Sequence, residues 1–130
     1  MTTTPSATPP RSRYHRLAYV FVLEALNRAQ AILGRPERKE ADQHVSGPEL
    51  LEGFRELAYE QFGGMALTVF QQWGLTSTND VGHIVWELID RGNMRKTEED
   101  RLTDFFDLYS FEEVFGNRYP LNVAAAFRDE

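Results

Sequence analysis

The chain has 130 residues, of which 42% are hydrophobic and 12% aromatic, so it is long enough and apolar enough to bury the core of a single domain. The absence of cysteine excludes disulfides, thiol catalysis and cysteine-ligated zinc. The formal net charge is -6, and residues 79–130 carry 12 acidic against 6 basic side chains, which argues against this half as a surface for nucleic-acid phosphates.

The first stretch of the chain, residues 1–12, is rich in Thr, Pro and Ser and predicts a disordered, dispensable tail, because such a composition buries little apolar surface. It lacks the apolar core of a signal peptide, and no run of the chain approaches the ~18 to 20 apolar residues of a membrane span. These features and the lack of cysteine favour a cytoplasmic protein that does not insert into membranes.

Residues 13–33 are predicted to form the first helix, since their apolar side chains recur at helical spacing and share one broad face. Gly34 is placed to end this helix, and Pro36 blocks its continuation. The polar connection over residues 34–47 is longer than most helix–helix loops, so it is either mobile or functional. The side chains expected to face the core are Tyr14, Leu17, Ala18, Phe21, Val22, Ala25, Leu26, Ala29, Ile32 and Leu33.

A second helix is predicted to start at Ser46, which forms with Glu49 the S-x-x-E pattern of a capping box, and to end at the glycine pair 63–64. The stretch "MALTVFQQW" predicts a short third helix that Gly74 closes. Ser46 lies two residues from His44, a pairing that suggests a nucleophile and its base. A capping serine has its oxygen committed to backbone N–H groups, so no catalytic residue is predicted here.

A fourth helix is predicted over residues 79–91, with an apolar stripe toward the core and a polar face on the opposite side. Asp80, His83 and Glu87 follow the i, i+3, i+7 spacing at which one helix can present three metal ligands. This face is expected to lie in water without further ligands, so we interpret it as a polar surface that holds no metal. No glycine-rich phosphate loop follows a strand, and no cofactor site is predicted.

Trp86 falls far from the centre of the apolar stripe of this helix, beside Glu87 and Asp90. An exposed tryptophan on an acidic face is a candidate anchor for a protein partner. The alternative is that Trp86 packs beneath the aromatic residues of the C-terminal segment, because most tryptophans are buried or half-buried. The candidate interaction residues are therefore Trp86, Glu87 and Asp90.

Residues 94–110 are compatible with two structures. A short helix can start at Thr97, which three acidic residues follow, or residues 94–96 and 105–108 can form a β-hairpin. With the hairpin, the second half of the chain is similar to a winged helix, which reads DNA with a helix and a wing. The fourth helix would, however, offer DNA acidic side chains and no Arg or Lys, so nucleic-acid binding is not favoured.

Three stretches, "HVSGPELLEG", "FGGMALTVFQQWGLTSTNDVGHIV" and "TEEDRLTDFFDLYSFEEVF", resemble a small uncharacterised family of conserved hypothetical bacterial proteins known from planctomycetes and verrucomicrobia. The resemblance covers residues 14–115. It implies a cytosolic bacterial protein, and it carries over no activity, cofactor or catalytic residue.

Together these elements predict a mainly helical, compact single domain of about five helices at residues 13–116, with or without a short β-hairpin. A disordered tail at 1–12 precedes it, and a partly ordered tail at 117–130 follows. The function that the sequence favours is a non-catalytic protein-interaction or regulatory module with an unidentified protein partner. The alternatives are a winged-helix nucleic-acid-binding protein, genuine or degenerate, and an enzyme whose site carries no recognised motif.

Overall fold

The structure, a computed structural model, describes residues 1–3, 13–34 and 44–116 of the chain. It confirms the expected mainly helical fold. None of the helices in these ranges is long and apolar enough to cross a membrane. The elements are strand β1 (Thr2–Thr3), helices α1 (Arg16–Ile32), α2 (Gly47–Phe62), α3 (Ala66–Trp73) and α4 (Thr78–Asp90), strand β2 (Met94–Arg95), the short helix α5 (Phe111–Phe115), and 3-10 turns at Gly63–Met65 and Leu102–Phe105.

The starts of α2 and α4 are fixed by serine caps. Ser46 Oγ accepts the Glu49 N–H at 3.3 Å and Glu49 Oε1 accepts the Ser46 N–H at 2.9 Å, so the predicted capping box is confirmed. Ser77 caps α4 through the N–H of Asn79 at 3.2 Å. Helix α3 ends at Gly74, whose φ of 90° is a left-handed conformation that glycine adopts without strain.

Helices α1 and α2 pack with their backbones in close approach. A Cβ atom at Gly53 would lie 2.7 Å from the carbonyl oxygen of Ala25 and 2.8 Å from the nitrogen of Ala29. Only glycine allows α2 to approach α1 this closely. Helix α4 also packs against α1, while α3 packs against α1, α2 and α5.

Phe70 of α3 lies at the centre of an aromatic core. Its ring centroid is 5.0 Å from that of Phe54 in α2 and 5.2 Å from that of Phe115 in α5. The ring of Phe21 in α1 lies at 5.6 Å and that of Trp73 at 5.8 Å. Aromatic pairs at these distances stabilise the fold beyond the area that they bury. This cluster therefore joins four helices.

The core-facing side of α1 is narrower than predicted. Leu17 and Ile32, both expected in the core, are 45% and 48% exposed. Leu17 lies about 120° around the helix from the centre of the buried side chains. Ile32 lies in the last turn, where its neighbours in α2 are glutamates and not apolar side chains. Apolar periodicity alone did not distinguish these two positions from the buried ones.

The first residues of the chain are part of the fold, which corrects the prediction of a disordered tail for residues 1–3. Met1 is fully buried, and its amino nitrogen donates to the carbonyl oxygen of Val45 at 2.6 Å and lies 2.6 Å from Nδ1 of His44. The next two residues form β1, which pairs antiparallel with β2. One buried methionine and a two-residue strand leave no periodic pattern from which they could be predicted. The predictions for the remaining ranges lie outside the described residues: 4–12, 35–43 and 117–130.

One of the two alternatives for residues 94–110, a β-hairpin between residues 94–96 and 105–108, is not formed. Strand β2 pairs with β1, and Leu102–Phe105 forms a 3-10 turn. This turn lies against α4 because the buried Phe105 packs onto Gly82, where a Cβ atom would lie 2.7 Å from the Cβ of Phe105. The other alternative, a short helix that starts at Thr97, is not found among the described residues either.

We predict that Ser46→Ala lowers the free energy of unfolding by about 1 kcal/mol, because the Glu49 N–H in the first turn of α2 loses its acceptor. The control Ser46→Asp keeps a capping oxygen and should cost less than half of that. Urea unfolding of both variants and the wild type, followed by circular dichroism, measures the difference. Equal losses in the two variants would mean that the cap oxygen does not stabilise α2.

Candidate functional site

Helix α4 carries most of the residues that the sequence singles out, and other parts of the chain cover it on two sides. Only Asp90, its last residue, is exposed. One side is covered by α1 and another by the turn that carries Phe105. Its polar residues therefore face protein more than water. The larger apolar residues that it buries are Val81, Ile84, Val85 and Leu88.

Asp80, in the first turn of α4, accepts hydrogen bonds from two directions. Its Oδ1 accepts the hydroxyl of Tyr14 at 2.8 Å. Its Oδ2 accepts the N–H and the hydroxyl of Thr76, at 2.8 and 2.9 Å. Burial of Tyr14 and its hydrogen bond to Asp80 raise the pKa of Tyr14 well above its ordinary value, so this hydroxyl remains a donor at neutral pH.

Glu87, two turns further along α4, is held in the same way. Its Oε1 accepts the hydroxyl of Tyr19 at 2.6 Å, and that hydroxyl accepts the N–H of Arg13 at 3.1 Å. Tyr19 is 4% exposed, and its burial, followed by the hydrogen bond to Glu87, raises the pKa of Tyr19 above its ordinary value. Tyr14, just before α1, and Tyr19, in its first turn, thus donate hydrogen bonds to two carboxylates of α4.

The prediction that Asp80, His83 and Glu87 form a solvated face is wrong, because all three are half-buried. Nδ1 of His83 and Oε2 of Glu87 are shielded from solvent and have no hydrogen-bond partner in the described part of the chain. The His83 ring lies 6.1 Å from the ring of Phe106. Among the described residues, no three carboxylate or imidazole side chains are placed to hold a metal ion together.

The residues predicted as a protein-contact face, Trp86, Glu87 and Asp90, have different surroundings. Trp86 is half-buried, with its ring edge-on to Phe105 at 6.1 Å and the Nζ of Lys96 6.0 Å from its centroid. The alternative in which Trp86 packs against the aromatic segment therefore describes its position. Glu87 is bound to Tyr19. Of the three residues, only Asp90 is exposed.

Two depressions in the surface were not predicted from the sequence. Each forms where separate segments of the chain pack together, and the apolar periodicity of one segment does not predict how it packs against another. A cleft of about 420 Å³ lies between α3 and the segment before α5, where its acidic residues, Asp107 and Glu112, are both exposed. A groove of about 230 Å³ lies between the end of α1 and the first half of α2, lined by Ala29, Ile32, Leu33, Glu49, Glu52 and Glu56.

The tyrosine and carboxylate side chains between the start of α1 and α4, and the side chain of His83 beside Phe106, are residue types that can transfer protons. The two hydroxyls and one oxygen of each carboxylate are, however, hydrogen-bonded to one another. These hydrogen bonds join α4 to the start of α1. Comparison of the chain with family models, with curated proteins and with solved structures gives no match. What the chain does is therefore inferred from its own residues.

We predict that Glu87→Ala costs about 1 to 3 kcal/mol of stability, because the buried hydroxyl of Tyr19 loses its acceptor. The control Asp90→Ala removes an exposed carboxylate of the same helix and should change stability by less than about 0.5 kcal/mol. In a double-mutant cycle measured by urea unfolding, Tyr19→Phe with Glu87→Ala should cost less than the sum of the two single changes. Strict additivity would mean that this hydrogen bond stabilises nothing.

A second prediction concerns alkaline pH. The raised pKa of Tyr14 means that the folded state keeps a proton that the unfolded state releases above pH 10. The contribution of Tyr14 to stability is therefore fully present below pH 10 and is lost as the pH rises further, at up to about 1.4 kcal/mol per pH unit. Urea unfolding at several pH values between 9 and 11 should show a shallower decline for Tyr14→Phe than for the wild type. Identical slopes would contradict the raised pKa.

Proposed function

We propose that the chain is a non-catalytic protein-interaction or regulatory module of the bacterial cytoplasm. The observation that carries this proposal is the enclosure of α4, the helix that would read DNA or hold a metal. Two of its carboxylates, Asp80 and Glu87, accept hydrogen bonds from Tyr14 and Tyr19, and its tryptophan packs on Phe105. The cytoplasmic location is supported by the family resemblance and by the absence of cysteine.

The exposed surface has the composition of a protein-binding surface more than of a nucleic-acid-binding one. In the described ranges, ten exposed side chains are acidic and five are basic. Five large apolar side chains are also exposed, and three of them, Leu17, Val20 and Ile32, lie on α1. Apolar side chains with a charged surround are what protein interfaces bury, whereas phosphates require a positive surface.

A winged-helix nucleic-acid-binding protein is the second candidate, and one observation favours it. Helices α3 and α4 are joined by a short turn at Gly74, as two helices of a helix–turn–helix are. Against it, α1 and the turn that carries Phe105 pack on the second helix. The cations after it, Arg95 and Lys96, are followed at once by Glu98 and Glu99. DNA would have to displace α1 to reach the side of α4 that carries Asp80 and Glu87.

The two candidates are separated by recovering the tagged chain from its own cells, with and without nuclease. We expect protein partners that survive nuclease treatment. We also expect no shift of a generic DNA duplex by purified protein below ~1 µM near physiological salt, since non-specific binding is usually weaker than that.

Charge variants give this test its control. Arg95→Gln/Lys96→Gln removes two exposed cations beside α4, and Arg16→Gln/Arg101→Gln removes two elsewhere. If duplex binding exists and only the first pair weakens it, α4 is a nucleic-acid reader and the interaction proposal is wrong. If neither pair changes the recovery of nuclease-resistant partners, the interaction proposal stands.

A further inference from the structure

The groove between α1 and α2 has an apolar floor at the end of α1. Ile32 forms the open part of this floor with 48% of its surface exposed, while Leu33 is half-buried and Ala29 is buried. Its volume of about 230 Å³ lies below the ~300 to 1,000 Å³ of most small-molecule sites. The floor therefore suits an apolar side chain of a partner more than a cofactor.

The rim of the groove is acidic. Glu49, Glu52 and Glu56 follow one another along α2 at helical spacing, and none of the lining residues is basic. The side chains of Glu52 and Glu56 are 60% and 59% exposed. An amphipathic segment that presents Lys or Arg beside an apolar side chain would match both the floor and the rim.

Within the described ranges, the cations that pair with this rim do not cancel its charge. Arg28 lies 3.6 Å from Glu56, and it also forms an ion pair with Glu60, so one guanidinium serves two carboxylates. Arg55 pairs with Glu52 at 2.9 Å on the exposed surface. Exposed pairs of this kind are weak and exchange readily with a partner's cation.

We propose that this groove binds a basic amphipathic segment of a partner protein. An apolar side chain of that segment lies on Ile32, and flanking Lys or Arg side chains reach Glu52 and Glu56. This mode is the helix-in-groove recognition in which apolar anchors recur at i and i+3 or i+4. The inference rests on the proposed interaction function and names the partner's chemistry.

The chain's own connection at residues 35–43 is the nearest rival occupant, because it follows Leu33 and Gly34 directly. It carries Arg35, Arg38 and Lys39. It also carries three acidic residues, and its only apolar side chains are those of a proline and an alanine. It therefore has no large aliphatic or aromatic side chain to cover the exposed Ile32, which a partner's segment can supply.

The test uses a synthetic helical peptide of leucine and lysine with the leucines on one face, a second peptide of the same composition in scrambled order, and fluorescence anisotropy. We expect the wild type to bind the first peptide at least about tenfold more tightly than the scrambled one. Ile32→Asp should weaken binding by about tenfold or more, and Ile32→Ala should weaken it to a smaller extent. The control Val20→Asp changes an equally exposed residue of α1, 44% against 48%, and should stay within about twofold.

The acidic rim has a matched control as well. Glu52→Gln/Glu56→Gln should weaken peptide binding and reduce its dependence on salt concentration. Glu112→Gln/Glu113→Gln removes the same charge from exposed positions of α5 and should do neither. Thermal unfolding of each variant verifies that the fold is kept, which the exposure of all these positions leads us to expect.

Three results would overturn the inference. One is equal binding of the two peptides, or equal binding by the wild type and both Ile32 variants. Another is a gain of about tenfold or more in peptide affinity on Arg35→Gln/Arg38→Gln/Lys39→Gln, which would mean that the chain's own connection fills the groove. The third is a dimer in sedimentation that Ile32→Asp dissociates, which would assign the groove to a second copy.

The failure of this inference is distinguishable from the failure of the proposed function. If nuclease-resistant partners are recovered equally with the wild type and with Ile32→Asp, the groove is wrong while the interaction function stands. If all partners are lost with nuclease, the interaction function is wrong whatever the peptides do.

Discussion

Two hydrogen bonds, from Tyr14 just before α1 and from Tyr19 in α1, to carboxylates of α4 determine how α4 packs in this fold. Leaving a carboxylate half-buried without a donor costs several kcal/mol, and a hydrogen bond to a charged group offsets part of that cost. Tyr14 and Tyr19 supply the donors to Asp80 and Glu87. Because both pairs form, α4 can lie between α1 and the Phe105 turn with its polar side inward. The same contacts bind these two carboxylates within the fold.

The sequence predicts local features of this fold well. Ser46 caps α2 as predicted, and α4, predicted over 79–91, is observed at Thr78–Asp90. The caps that set these bounds depend on residues within one helical turn of each other. The prediction that the polar side of α4 lies in water is wrong for a different reason. A tyrosine combines an apolar ring with a polar tip, so a face rich in Tyr covers carboxylates as readily as it covers leucines.

The features that the sequence does not predict are those that depend on distant parts of the chain. Strand β2 pairs with a strand formed by residues 2 and 3, and Phe105 can pack on α4 because Gly82 has no side chain. Neither choice is encoded in a periodic pattern. The acidic groove belongs to the same group, since Ile32 and Glu52 are ordinary helix residues until the two helices are placed side by side.

The two tryptophans of the chain occupy contrasting surroundings, and this gives the molecule two optical reporters. Trp73 is 9% exposed and lies 5.6 and 5.7 Å from the rings of Phe21 and Phe62. Trp86 is half-buried between Phe105 and the ammonium of Lys96. Its emission therefore follows the docking of the Phe105 turn on α4, whereas that of Trp73 follows the aromatic core. Replacing either one by phenylalanine leaves a single-tryptophan chain in which excitation of tryptophan reports on one region at a time.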